Sequence, residues 1–134
     1  MVMKEKSTYS GTYRVRIGDI NYGGHMGNDK ALLLFHDARL YFLGQHGFTE
    51  NDIGGPGLIM GEAHVYFKKE VFRGDELKVN IHIEDLYSFS FVMHYTVMRD
   101  EEEVMHGSTK LIAFDYDRRK VAKIPDAFLM SINI

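Results

Sequence analysis

The chain has no cysteine among its 134 residues. Without thiols it cannot build a disulfide framework, a thiolate nucleophile or a Cys-ligated zinc site. Nucleophilic chemistry therefore has to use oxygen or nitrogen. Only two prolines are present, Pro56 and Pro125, and low-complexity segments and internal repeats are absent, which points to a compact fold rather than linkers. No apolar run approaches the roughly 18 residues of a membrane-spanning helix. The start, Met1 to Ser7, is short and polar and lacks the apolar core of a secretory signal, so the expected compartment is the cytoplasm. Charge of one sign is also missing: 16 Lys and Arg stand against 19 Asp and Glu, a formal charge of -3. The two signs are interspersed, which argues against nucleic acid as the main partner. The length suits one domain over residues 1–134, large enough to bury about two-thirds of its unfolded surface.

What is present is concentrated in one stretch, Asp19-Ile20-Asn21-Tyr22-Gly23-Gly24-His25-Met26-Gly27-Asn28-Asp29. Three glycines and the polar Asp19, Asn21, His25 and Asn28 lie directly before the one long helical pattern. A loop that delivers Asn and His to a helix N-terminus is suited to holding an anion or a polarised carbonyl. The plainer reading is a glycine-rich turn with Asn28 as N-cap.

Tyr9 to Ile17 ends in alternation, with Tyr13, Val15 and Ile17 on one face and Arg14 and Arg16 on the other, and reads as a first strand. From Asp29 to about His46 the residues Ala31, Leu34, Phe35, Ala38 and Phe42 recur at helical spacing, and Gly47 sits where a helix stops. Leu32, Leu33, Leu40, Tyr41 and Leu43 make that helix apolar nearly all round, so a partner is expected to cover part of it. After the Gly54-Gly55-Pro56-Gly57 turn come four stretches of strand character: Leu58 to Lys68, Asp75 to Asp85, Ser88 to Arg99 and Glu102 to Asp115. One helix after a first strand, followed by four sequential strands, implies an antiparallel sheet wrapped around a central helix.

With these pieces in order, the chain resembles the hot-dog fold, and specifically the acyl-CoA thioesterases similar to 4-hydroxybenzoyl-CoA thioesterase. The resemblance runs from about Thr12 to Pro125. It rests on Asp19-x-Asn21-x-x-Gly24-His25-Met26-x-Asn28, on His36-Asp37-Ala38-Arg39-Leu40-x-Phe42-Leu43, and on Gly61 to Phe67 followed by Val71 to Leu77. It implies an α+β fold in which an antiparallel five-stranded sheet wraps one long helix. It further implies hydrolysis of an acyl thioester, carried by CoA or an acyl carrier protein, to a free acid and a thiol, without cofactor or metal, in a homodimer or homotetramer.

Two residues after Asp19 the family usually carries a second aspartate, which attacks the thioester or activates water, and here that position is Asn21. A neutral amide does neither, so the base has to lie elsewhere. His25 is one candidate, an imidazole able to accept a proton. Asp37 is the other; it matches an acidic position of some relatives but lies about 13 Å along the helix from Asn28, which suits a site shared with a second subunit. A backbone N–H of Gly27 or Asn28 is placed to polarise the carbonyl. Asp19 is expected to brace the loop beside the substrate. Leu33, Phe35, Tyr41, Leu58 and Met60 are expected to line an acyl tunnel. Lys68, Lys69 and Arg73, or Arg118, Arg119 and Lys120, are basic groups that could meet nucleotide phosphates. The turn Leu86-Tyr87-Ser88 lacks the basic residues some CoA-using relatives have there.

Two other functions compete. A hot-dog hydratase carries a pattern that Gly18-Asp19-Ile20-Asn21 begins, but Tyr22 replaces its proline and His25 comes one residue late. A non-catalytic acyl-thioester binder is permitted by the missing aspartate. The strand histidines His64, His82, His94 and His106 show no local ligand motif, and no metal is expected from their spacing.

Overall fold

The computed structural model describes residues 9–132; Met1 to Ser7 lie outside them. A first strand β1 (Tyr9–Arg14) leads through a short 3-10 turn (Ile17–Asp19) and the glycine loop into a second 3-10 turn (Asn28–Lys30), which continues into helix α1 (Ala31–Gln45). Then follow β2 (Gly57–Phe67), β3 (Glu76–Glu84), β4 (Ser90–Arg99), β5 (Glu102–Asp115), the two-residue β6 (Lys120–Val121) and a short helix α2 (Asp126–Ser131). The sheet order is β1-β3-β4-β5-β2, with β6 added beside β5, and every pairing is antiparallel. The sheet is therefore the expected five strands plus one two-residue addition.

Alternation decides which face of the sheet meets the helix. Leu77, Val79 and Ile81 of β3 and Phe91, Met93, Tyr95 and Val97 of β4 are buried. They face Leu34, Phe35, Ala38 and Phe42 of α1, all buried as well. Phe35 stacks on Tyr95 with ring centroids 4.3 Å apart. The helix comes this close because Gly107 of β5 has no side chain: a Cβ there would meet Phe35 Cε2 at 2.6 Å and the His64 carbonyl at 2.3 Å. Helix α1 ends in a Schellman arrangement, with Phe48 N–H donating to the Leu43 carbonyl at 2.9 Å and Gly47 N–H to that of Gly44 at 3.1 Å. Phe128 of α2 then closes that end of the core between Phe48 and Phe91, at centroid distances of 5.2 and 5.7 Å.

Among the described residues the core contains one buried charged side chain. Arg39 is only 6% exposed, and its Nε donates to Glu50 while Nη1 donates to the Tyr95 hydroxyl at 2.8 Å. That hydroxyl also meets Thr109 Oγ1 at 2.8 Å, and His36 Nε2 lies 2.9 Å from the other Glu50 oxygen. Burial works against the Glu50 carboxylate, yet the Arg39 hydrogen bond and charge outweigh it and hold Glu50 below its ordinary pKa. Burial pushes the Tyr95 phenol up, which keeps it protonated.

The first strand is shorter than its alternation suggests. Asp19 Oδ2 accepts the Arg16 N–H at 2.9 Å, which turns the chain after Val15, and Ile17 ends 71% exposed instead of in the core.

Candidate active site

The glycine loop is built as a small closed ladder. Ile20 bridges Met26, Asn21 N–H donates to the His25 carbonyl at 2.9 Å and Gly24 N–H to that of Asn21 at 3.1 Å. Gly24 sits at φ 86°, a left-handed conformation that side-chain-bearing residues rarely adopt. The loop is docked to the rest of the chain through Met26 N–H on the Val71 carbonyl at 2.7 Å. Beneath it, the Asp19 carboxylate accepts the Tyr13 hydroxyl at 2.7 Å. Burial, with the Asp19 carboxylate as second cause, pushes the Tyr13 hydroxyl up to about 12, so it remains a donor. Asp19 thus braces the loop, its Oδ2 accepting from both the Tyr13 hydroxyl and the Arg16 N–H.

Where the loop enters the helix lies a cavity of about 220 Å³. His25, Met26, Gly27 and Asn28 form one wall, and Phe67 to Val71 with Met105 form the other. His25 Nδ1 lies 3.1 Å from the Met26 carbonyl. A carbonyl only accepts, so this contact assigns the proton to Nδ1 and leaves Nε2 with its lone pair. Nε2 stands 3.8 Å from the Glu70 carboxylate, too far for a hydrogen bond but near enough to stabilise a positive ring. A Cβ on Gly23 would lie 3.2 Å from Asn21 Oδ1 and 3.4 Å from His25 Nε2, so both side chains flank Gly23. Asn21 itself is tied down, accepting the Gly23 N–H on Oδ1 at 2.8 Å, an Asx turn.

Of the two backbone donors expected for a carbonyl, Gly27 is excluded, because its N–H is taken by the Asp19 carbonyl at 2.9 Å. The Asn28 N–H has no acceptor among the described residues. Asn28 is not an N-cap either: it is the first residue of its 3-10 turn, after Gly27.

Several expected residues lie apart from this cavity. Asp37 sits on α1 where its charge reaches Tyr9 and Tyr13, behind the loop. Leu58 is buried and Met60 exposed at the far end of β2, with Met60 roughly 23 Å along the strand from Phe67. Phe35 is locked in the core stack, while Leu33 and Tyr41 point to solvent. Arg118, Arg119 and Lys120 lie at the opposite end of β5 from Met105. Lys68 and Lys69 do line the cavity, with their ammonium groups 3.0 and 3.2 Å from Glu103 and Glu102. Glu70 and Met105 went unnoticed in the sequence, and Val71 was noted only as part of the motif that runs to Leu77. Only the position of Glu70 beside the two lysines hinted at it.

A curled antiparallel sheet around one helix is the architecture of the hot-dog thioesterases. The solved structure of a 1,4-dihydroxy-2-naphthoyl-CoA thioesterase from Synechocystis superposes with a TM-score of 0.84 at 21% identity, covering 92% of this chain and 94% of that one. A gentisyl-coenzyme A thioesterase superposes at 0.83 and 20% identity, over 92% and 99% of the two chains. In sequence, a 1,4-dihydroxy-2-naphthoyl-CoA hydrolase of Synechococcus sp. (strain WH7803) is 24% identical over 137 residues, 95% of this chain and 90% of that protein. The model of the thioesterase-like superfamily matches residues 15–132, and the chain belongs to that family.

Proposed function

We propose that the protein hydrolyses the thioester of an aromatic acyl-CoA, with His25 as general base. The observation that carries this reading is the pairing of a lone pair on His25 Nε2 with the unclaimed Asn28 N–H on one cavity wall. Water attacks the thioester carbon, and His25 Nε2 takes its proton. The oxygen that becomes negative is met by the Asn28 N–H at the helix start, where such a donor typically lowers the barrier enough to matter about a hundredfold or more. Collapse of the tetrahedral intermediate breaks the C–S bond, and the imidazolium returns its proton to the sulfur. Glu70 stabilises the transient imidazolium, and Asn21, standing where the family usually has its aspartate, holds the loop and hydrogen-bonds the attacking water.

Met26, Phe67 and Met105 supply an apolar seat for a flat acyl group, and Lys68 and Lys69 meet the phosphates of CoA. The aromatic class is supported by the names of the relatives, naphthoyl-CoA and gentisyl-CoA thioesterases. Asp37 enters the chemistry only from a second copy. The exposed Leu33 and Tyr41 on α1 and the long outer strand β2 give a homodimer or homotetramer its contact surface.

The test is free-thiol release from benzoyl-CoA, 1-naphthoyl-CoA, octanoyl-CoA and palmitoyl-CoA, beside sedimentation. The aromatic thioesters are expected to turn over fastest, in an assembled protein. Saturable binding of every thioester with no thiol released would instead make the protein a binder. A fully active 15.5 kDa monomer would remove Asp37 from the site.

A further inference from the structure

We propose that His82, Glu84 and His94 form a binding site for one divalent transition-metal ion of the zinc type, on the face of the sheet turned away from α1. Nothing in the spacing of these histidines announces such a site, because it is made by strand register. His82 of β3 pairs directly with His94 of β4, and Glu84, two residues beyond His82, emerges on the same face. Cross-strand partners on one face stand about 5 Å apart at Cβ, and here the two imidazoles lie parallel within 7°, their centroids 5.0 Å apart.

Both rings turn the same nitrogen toward one carboxylate. His82 Nε2 lies 2.9 Å from Glu84 Oε2 and His94 Nε2 lies 3.2 Å from Glu84 Oε1. One donor atom from each of the three residues can be chosen so that all lie within 4.8 Å of one another. An ion with ligands at about 2.0–2.2 Å in tetrahedral geometry holds its donors roughly 3.3 Å apart, close to the two spacings already present. The nitrogen of His94 gives a second, independent sign. It is buried and makes no hydrogen bond, since its approach to Glu84 has the distance but not the alignment of one. A buried ring nitrogen left in that state is uncommon, and a cation between the rings and the carboxylate would satisfy it.

Two imidazoles and a carboxylate suit zinc, cobalt, nickel or copper rather than magnesium or calcium, which favour all-oxygen shells. Three protein ligands leave one position for water. The ligands sit on paired strands, so the ion would clip β3 to β4 without ordering any loop. This inference is independent of the hydrolytic reading and stands or falls separately.

The experiment is titration of the metal-free full-length chain with zinc chloride by calorimetry, followed by ring 15N shifts of the histidines. One equivalent per chain is expected to bind, raising the melting temperature and moving the ring signals of His82 and His94 above all. His82→Gln, Glu84→Gln and His94→Gln should each weaken binding by about tenfold or more, while His64→Gln and His25→Gln leave it unchanged. Absence of stoichiometric binding, or full binding by a cooperatively melting H82Q/H94Q variant, would overturn the site. Should that double variant fail to fold, ring shifts in the wild-type protein that spare His82 and His94 would overturn it as well.

Discussion

Two polar assemblies, one inside the sheet and one at its mouth, use the same kinds of group in opposite ways. In the core, Arg39, Glu50, Tyr95 and Thr109 satisfy one another through short hydrogen bonds, as a low-dielectric interior requires. At the mouth, the glycine loop closes hydrogen bonds within itself and onto Val71, while His25 and Asn28 line a cavity. Beneath it the Asp19 carboxylate accepts the Tyr13 hydroxyl. The contrast separates a polar network closed inside the core from one that borders an open cavity.

Substitutions should divide along that line. Arg39→Ala is expected to have the largest effect on the fold, about 3 kcal/mol, because it takes the guanidinium from Glu50, leaving only His36, and leaves the Tyr95 hydroxyl with Thr109 alone. Urea unfolding reads that loss, and turnover per folded molecule should be little changed. Asn21→Asp works in the opposite sense. It keeps the acceptor for the Gly23 N–H, adds a carboxylate beside His25 and, on the proposed mechanism, should raise thiol release by about tenfold or more, with melting nearly unaltered. Tyr95→Phe should cost about 2 kcal/mol, because it removes the acceptor of one Arg39 hydrogen bond and the partner of Thr109, visible as a drop in the urea midpoint.

Acid provides the gentlest test. The carboxyl of Glu50 has a folded pKa below its ordinary value of 4.5, so between the two values the unfolded chain binds more protons. The stability it contributes is complete above that ordinary value and is lost as pH falls through the lower, folded one. Glu50→Gln should flatten that portion of the stability curve, measured by urea unfolding at a series of acid pH values.

Much of the fold was legible because it is written in short-range pattern. Alternation through Leu77, Val79, Ile81 and Ile83 sets a sheet face, and the recurrence of Ala31, Leu34, Phe35, Ala38 and Phe42 sets a helix face. The helix stop near Gly47 followed from the same logic. What escaped depends on contacts distant in sequence. Ile17 continues an alternating strand on paper, yet the Asp19 carboxylate caps Arg16 and turns the chain first. Pro125 signalled a break but not that Phe128 would fill the end of the core. The burial of Arg39 depends on Tyr95, 56 positions away, standing opposite it.

The site was half legible for the same reason. His25, Asn21, Gly27 and Asn28 come from one contiguous loop and do lie together. Gly27, however, gives its donor to Asp19, and the far wall is built from Phe67 to Val71, a stretch distant in sequence that the Met26 N–H docks to the loop through the Val71 carbonyl. Leu58 and Met60 were placed by apolarity alone, and the length of β2 carries them away.

The proposed chemistry turns on His25, and one comparison reaches it directly: thiol release from benzoyl-CoA per folded molecule, for the wild-type protein and His25→Gln, with thermal melts of both. A loss of about 10²- to 10⁴-fold in turnover, the usual contribution of a positioned base, with an unchanged melt is the predicted result. Turnover by His25→Gln equal to that of the wild type would contradict the assignment and leave the cavity without its base.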